Sequence, residues 1–494
     1  MILLKVDPGS PAPLYQQIID GLVTLIGDGT LLVGSRVPAT RVLARQLGVN
    51  RTTVYRAYQE LWARGYLESR PGAYSTVRQR PPVAMRGSTN VTRLIDWDRA
   101  ASFGSRAAFT NLARYGRPNA TAKRDGAINF CDLSADRGLC PVDDLRRAIG
   151  HVMREQGSSI LGYGDPAGYL PLRETIARRL RGHGIAVDAD EVMITSGSQH
   201  AIELVLQLLT EPGDPIVVES PTYGAAIPLC RLHQIELVEV PMAASGMDLD
   251  ALERELAIHR PKLVYTVPNF QNPTGITTDQ GHRERLLALC ESHRVPLVED
   301  GFEEEMKYFG RAVLPIKSMD TKGGVIYLGT FSKVIFPGLR IGWISADSDC
   351  IRRLTAITRF AALSGSGLVQ AAMARFIEQG SYETYLRRLH RAYRTRMHLL
   401  LRALHTHMPT HGVRWTEPAG GYTLWVSLEG APVSEVDLVR ILAEHGVLVV
   451  PGSLFYPNPP SQVAFRLSIA NLAAAEIVEG ARRLGQALAE VVRA

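Results

Sequence analysis

From residue 126 onward, short apolar strands alternate with amphipathic helices, and no other feature constrains the fold as tightly. "EVMIT" runs into "SQHAIELVLQLL", "PIVVE" into "TYGAAIPLCRLH", and "KLVYTVP" into "QGHRERLLALCESH". "PLVED", "VIYLGT" and "WISA" follow. Strands joined through helices pair side by side in parallel, with the helices covering the sheet faces. The pattern predicts an α/β body with a mainly parallel sheet. In such sheets, ligands gather outside the carboxyl ends of the strands.

Those ends carry chemistry. Ser196-Gly197-Ser198-Gln199 follows "VMIT", Tyr223 follows "VVESPT", and Asn272 follows "YTVPNFQ". Asp300 closes "PLVED", and Thr330, Ser332 and Lys333 lie in "GTFSK". Lys333 can form an imine with an aldehyde, and Asp300 can pair with a ring N–H⁺. Ser198 and Gln199 open a helix, whose free N–H groups and positive dipole end suit a phosphate. Arg340, in "GLRIGW", can fork onto the same phosphate, and Thr330 and Ser332 add hydroxyls. Tyr223 can stack on a flat ring, and the Asn272 amide can donate to a phenolate oxygen. An aldehyde, a ring nitrogen, a phenolate and a phosphate together describe pyridoxal 5′-phosphate.

The first residues read differently. "LYQQIIDGLVTLI" puts Leu14, Ile18, Leu22 and Leu25/Ile26 on one helical stripe. "TRVLARQLG" is a short helix stopped by Gly48, and Asn50 can cap a third helix, "RTTVYRAYQELWARG". "YLESRPGAYSTV" gives two short β segments around Pro71-Gly72. Helix, short helix, turn, helix and wing make a winged helix-turn-helix over residues 1–78. Its arginines, at 36, 41, 45, 51, 56, 64 and 70, face few acids, chiefly Glu60 and Glu68. A capped helix carrying Arg and Thr at its start can reach base edges and phosphates, so double-stranded DNA is the expected partner.

Residues 79–125 show no sustained period and are rich in Pro, Gly, Ser and Arg, which predicts a tether with one short segment near "IDWDRAASF". Residues 126–494 form the ligand-binding body. The five cysteines are scattered without a C-x-x-C spacing, and the 13 histidines form no H-E-x-x-H pair, so no metal site is expected. No apolar run reaches membrane-span length and no secretory leader is evident, so a cytoplasmic protein is expected.

"VPATRVLARQLGVNRTTVYRAYQELWARGYLES" resembles the GntR-type winged-helix domain, a likeness covering residues 12 to 78. It implies that Arg41, Arg51, Thr52, Thr53 and Tyr55 lie near DNA, with the wing at Gly72. Ala39 stands where a serine usually caps the second helix, which should weaken that end.

"YGDPAGYLPLRETIA", "TSGSQHAIEL", "PNFQNPTG", "EDGFEEE", "GTFSKVIFPGLRIGW", "PAGGYTLWV" and "FRLSIAN" resemble, in order, the motifs of fold-type I aminotransferases. That likeness implies a large α/β domain with a small C-terminal α+β domain. Lys333 would be the Schiff-base lysine, Asp300 the pyridine partner, Asn272 the donor to O3′ and Arg340 a phosphate anchor. Arg466 would grip a substrate carboxylate, and Tyr163 would reach the cofactor of a second subunit in a homodimer. Phe302 stands where relatives often carry a tyrosine that also donates to O3′.

Head, tether and body in this order resemble the MocR-type transcriptional regulators. The likeness implies a regulator that senses an amine, an amino acid or the cofactor itself through exchange at Lys333. The alternative is a working aminotransferase whose head is incidental.

Overall fold

The computed structural model describes residues 4–69, 74–78, 95–115, 126–310, 313–430 and 433–493. Two compact units emerge, Met1–Asp96 and Trp97–Ala494.

In the first unit, α1 (Leu14–Gly27), α2 (Thr40–Leu47) and α3 (Arg51–Ala63) enclose a small core. Ile18, Ile19 and Leu22 of α1 pack with Leu43 of α2 and Val54, Ala57, Tyr58 and Leu61 of α3. Each fully buried Leu or Ile contributes about 1.5–3 kcal/mol. Gly48 ends α2 at φ 66°, a left-handed turn that glycine adopts without strain. Asn50 then starts α3 by accepting from the Thr52 backbone N–H at 3.0 Å. The start of α2 lacks such a bond, because Ala39 has no side-chain acceptor. The wing pairs β1 (Leu67–Ser69) antiparallel with β2 (Ser75–Val77). Its expected tip at Gly72 lies outside the described residues.

The second unit begins with a departure from expectation. A helix spans Phe103–Tyr115, inside the stretch read as a tether. Gly104, Ser105, Thr110 and Asn111 blur its apolar period, so it does not announce itself in sequence. Tertiary docking holds it instead. Gly104 sits against Leu232, and the Tyr115 hydroxyl accepts from Arg231 at 3.3 Å.

The large sheet holds β4 (Val192–Thr195), β5 (Pro215–Ser220), β6 (Glu236–Ala243), β7 (Gly246–Met247), β8 (Val264–Thr266), β9 (Leu297–Asp300), β10 (Val325–Thr330) and β11 (Gly342–Ser345). Their order is β4-β11-β10-β9-β8-β5-β6-β7. β10, β9, β8, β5 and β6 pair in parallel, while β11 runs antiparallel between β10 and β4. β4, β8, β9 and β10 are buried at every residue, as strands covered on both faces must be. One face packs on Ala201, Ile202 and Val205, the other on Leu252, Leu256 and Leu286.

A smaller antiparallel sheet orders β12 (Val413–Trp415), β13 (Thr423–Leu428), β16 (Val463–Ser468) and β15 (Val450–Pro451). The start of the body returns to this domain, since β3 (Ile128–Asn129) pairs with β14 (Val447–Leu448). Helices Ser381–His407 and Ala474–Arg493 approach closely at Gly485, where a Cβ would fall 2.1 Å from the His407 carbonyl oxygen. Among the described residues, no helix is long and apolar enough to cross a membrane.

Candidate functional site

Parallel pairing points the carboxyl ends of β5, β8, β9 and β10 to one edge of the large sheet, and β4 ends there too. Because β11 runs the other way, the residues that precede it arrive at the same edge, and Arg340 is among them. The sequence predicted five loops converging; antiparallel β11 explains how the sixth group joins them.

Asp300 is the last residue of β9 and is 3% exposed. Its Oδ2 accepts from the Tyr265 hydroxyl at 2.7 Å, while Oδ1 is buried without a partner. Burial pushes this carboxyl up to about 6, against the lowering effect of the Tyr265 hydrogen bond. Tyr223 follows β5, and burial raises its phenol to about 12; Asp300, Arg466 and Arg340 are its charged neighbours.

Lys333 lies in the turn after β10, with its backbone carbonyl accepting from the Tyr422 hydroxyl at 3.0 Å. Desolvation lowers its proton affinity, opposed chiefly by the Glu303 carboxylate. Thr330 and Ser332 divide their work. The Thr330 hydroxyl donates to the Ile341 carbonyl at 3.1 Å and accepts from the Ser332 N–H, so it ties the lysine turn to β11. The Ser332 hydroxyl is buried and unpartnered, free to meet a ligand.

Ser198 and Gln199 open the Ser198–Leu209 helix. Gly197 precedes them at φ 92°, and a Cβ there would fall 3.1 Å from Arg340 Nη1. Glycine thus lets the guanidinium lie against the helix start, where Arg340 donates to the Ser196 carbonyl. Gln199 donates to the Ala225 carbonyl at 3.0 Å, leaving its Oε1 buried and unpaired.

Arg466 reaches the same space from the small sheet, where it pairs with Trp425 of β13 and Val450 of β15. It is 6% exposed. Nη1 donates to Asn272 Oδ1 at 3.1 Å and Nη2 to the Cys131 carbonyl at 3.0 Å. Nε is buried without a partner. Burial pushes this guanidinium down to about 10. A buried cation with a spare donor is poised for an anion.

Tyr163 does not join this group. It is 88% exposed on the chain's surface.

Three further side chains bear on the site without having been singled out in sequence. Tyr265 holds Asp300. Asp132, whose carboxylate accepts from the Ser134 N–H at 2.7 Å, is a charged neighbour of Lys333. Glu303 is 1% exposed; its Oε2 accepts from the Tyr422 N–H at 3.1 Å, while Oε1 is buried and unpartnered. Burial pushes it up to about 8. The glycine pair of "PAGGY" permits this contact, since a Cβ at Gly421 would fall 2.5 Å from Glu303 Oε2. The run "EDGFEEE" held the signal, but side-chain direction after Asp300 decides which acid turns inward. Phe302 packs with Val298 and Leu328 in the apolar layer.

In the other unit, Arg41, Arg51, Thr52 and Tyr55 are exposed and Thr53 is half-buried. The Thr52 hydroxyl already donates to Asn50 Oδ1 at 2.9 Å, and Arg56 stacks on Tyr15 at 4.0 Å. Arg41 lies in the first turn of α2 and Arg51 opens α3, the two helices flanking the turn.

Comparison with known proteins assigns both units. Residues 127–484 match the aminotransferase class I and II family, and residues 14–77 match the bacterial regulatory proteins of the gntR family. The 2-aminoadipate transaminase of Thermus thermophilus is 37% identical over 370 residues, 74% of this chain and 91% of that one. The crystal structure of Thermus thermophilus LysN, an alpha-aminoadipate aminotransferase complexed with N-(5′-phosphopyridoxyl)-L-leucine, gives a TM-score of 0.72 at 32% identity. It covers 81% of this chain and 100% of its own. The probable rhizopine catabolism regulatory protein MocR of Rhizobium meliloti is 30% identical over 468 residues, 94% of this chain and 91% of that one. This chain belongs to the MocR-type regulators. As a MocR-type regulator it couples a DNA-binding winged helix to a body whose cofactor is pyridoxal 5′-phosphate.

The side chains of this MocR-type body fit that cofactor. Asp300 Oδ1, Ser332 Oγ, Gln199 Oε1 and Arg466 Nε are buried polar atoms without protein partners. Buried polar groups normally find partners. A carboxylate, a hydroxyl, a helix start with its arginine, and a desolvated lysine are the donor set that a phosphorylated pyridine aldehyde requires.

Proposed function

We propose that this chain is a transcriptional regulator whose body senses an amine or amino acid through exchange at Lys333 and whose head binds operator DNA. Pyridoxal phosphate supplies an aldehyde carbon that condenses with amines and a ring that withdraws electrons from it. Lys333 is the residue that would hold that carbon, and an effector amine would compete with it there. Burial favours the uncharged lysine, which is the nucleophilic form. Asp300, fixed by Tyr265, would pair with the ring nitrogen, and Asn272 would donate to the phenolate oxygen. Tyr223 stacks on the ring. Ser198, Gln199, Ser332 and Arg340 hold the phosphate, with Thr330 setting the turn that presents Ser332.

Arg466 supplies selectivity. Its plane is fixed by Asn272 and the Cys131 carbonyl, so its free edge can orient a carboxylate beside Lys333. Exposed Tyr163 would complete the site of a second copy in a homodimer. In the head, Arg41, Arg51, Thr52, Thr53 and Tyr55 would contact DNA in the cytoplasm.

The observation that carries this reading is Arg466: a buried, partly unpaired cation facing Lys333, in a chain that also bears a DNA-binding head. The test is DNA binding by wild type and Lys333→Ala, with and without a panel of amines and amino acids. Wild type should change its operator affinity with at least one of them. Lys333→Ala should bind operator as before and ignore all of them. A variant that responds like wild type would overturn exchange at Lys333.

A further inference from the structure

Outside the cofactor site, the Ser381–His407 helix carries an ordered row of four arginines interleaved with two histidines. Arg387, Arg391, Arg394, His398, Arg402 and His405 recur at spacings of four, three, four, four and three residues. At 3.6 residues per turn these six positions fall within about 80° of the helix circumference and extend over about 27 Å. All six are exposed. The opposite face buries Tyr385, Leu389, Tyr393, Met397, Leu400 and Leu404, so packing fixes the row outward.

Neighbours leave most of the charge unspent. The ion pairs of this helix join Glu383 to Arg179 and Arg396 to Asp136, and His405 Nε2 lies 3.0 Å from Glu417 Oε1. Among the described residues, none involves Arg387, Arg391, Arg394 or Arg402. Arg394 and His398 rest on the Phe309 ring, 5.6 and 4.5 Å from its centre, which steadies the middle of the row. A solvated surface helix ordinarily mixes acids with bases at i+3 and i+4, because like charges there repel. After Glu383 in its first turn, this one carries no acid and sets base beside base from Arg387 to His405.

A small anion would engage one or two of these groups; a linear polyanion would engage the row. The chain's winged helix already brings duplex DNA to the molecule. Guanidinium groups match phosphate oxygens in fork geometry. We propose that the Ser381–His407 face is a second DNA-contacting surface, which grips duplex phosphates without reading sequence. It strengthens association with any duplex and leaves discrimination to the head. This does not depend on which effector the body senses.

The test uses the full, cofactor-loaded chain and a long duplex of random sequence, titrated across a range of salt. The comparison is wild type against the triple variant Arg387→Gln, Arg391→Gln, Arg402→Gln. Each lost phosphate contact should flatten the slope of log affinity against log salt by about 0.9. The variant should therefore bind with a slope shallower by about 2 to 3, and at least tenfold more weakly at moderate salt. Its preference for operator over random duplex should be kept, as should its cofactor absorbance. A slope and affinity equal to wild type would overturn the proposal and leave the row a solvated face. The triple Lys variant at the same positions separates charge from structure. It should keep the slope, and a loss as large as that of the Gln triple would also overturn the proposal. If the Gln triple loses its cofactor band, Arg391→Glu alone reads the same slope. An unchanged slope in that single variant counts against the proposal.

Discussion

Asp300 presents the sharpest balance of forces at the level of single residues. Burial drives its carboxyl towards the neutral form, and the Tyr265 hydroxyl, with a smaller contribution from the Phe302 backbone N–H, resists. In the proposed pairing, the cofactor's ring N–H⁺ would need the ionised form, so Tyr265 would set how much of the carboxylate is available near neutral pH. Removing the hydroxyl in Tyr265→Phe should raise the Asp300 pKa further above about 6. A shift of one unit corresponds to about 1.4 kcal/mol, a tenfold change in the ionised fraction below the pKa. The signs follow directly. For such a shift, cofactor affinity relative to wild type should drop about fivefold at pH 6, less than about twofold at pH 7, and return towards wild type by pH 8, where both proteins are ionised. Cofactor titration by absorbance across that range checks it, and a pH-independent loss would point to packing instead. Asp300 and Lys333 were legible in sequence because one ends a strand and the other lies in the turn just past one, and each is a residue type that is costly to bury without a task. Tyr265 was not, because it lies inside a fully buried strand where any aromatic fills space equally well. Glu303 was hidden among three consecutive glutamates, of which only the backbone path shows the one facing Lys333.

Helix ends and docking surfaces govern the elements. α3 starts on Asn50, whose side chain satisfies a backbone N–H that would otherwise lack a partner. α2 starts on Ala39 with no such bond. Ala39 already has the extended backbone that an N-cap needs, at φ −56° and ψ 144°, so serine fits there without rearrangement. Ala39→Ser should stabilise the head by about 1 kcal/mol. Thermal unfolding of the head within the full chain should shift upward by a few degrees, with the cofactor absorbance of the body unchanged. No shift would mean that the Thr40–Leu47 start is satisfied by solvent. The three head helices were readable because each has an apolar stripe and a punctuating Gly, Pro or Asn. The Phe103–Tyr115 helix was not, since its order comes from Leu232 and Arg231, more than a hundred residues away in sequence. β11 gave an intermediate case. "WISA" reads as a strand, but its reversed direction follows from a connection too short for a helical crossover. Only eleven residues, 331 to 341, separate it from β10, fewer than the dozen or more that a parallel crossover needs.

For the whole molecule, the proposed function raises the question of how an amine at Lys333 would matter to DNA. Two binding events in one chain are coupled only if each ligand favours the same one of two states. If an effector changes operator affinity by a factor α, operator must change effector affinity by that same factor. Couplings of this kind usually amount to about 1–3 kcal/mol, or 5- to 150-fold. The two factors can be measured independently in this chain. Fluorescence anisotropy gives operator affinity with and without saturating effector. Cofactor absorbance gives effector affinity with and without saturating operator. The two ratios should agree within error, and in Lys333→Ala the first should fall to one. Unequal ratios in wild type would mean that the effector perturbs DNA binding by some route other than a shared equilibrium, such as a change in assembly. Flattening the charged face of the Ser381–His407 helix should lower operator affinity equally in both states and leave the ratio untouched. Electrostatic grip and ligand response would then be separable properties of one chain: the first set by phosphate contacts and salt, the second by the difference in effector affinity between states.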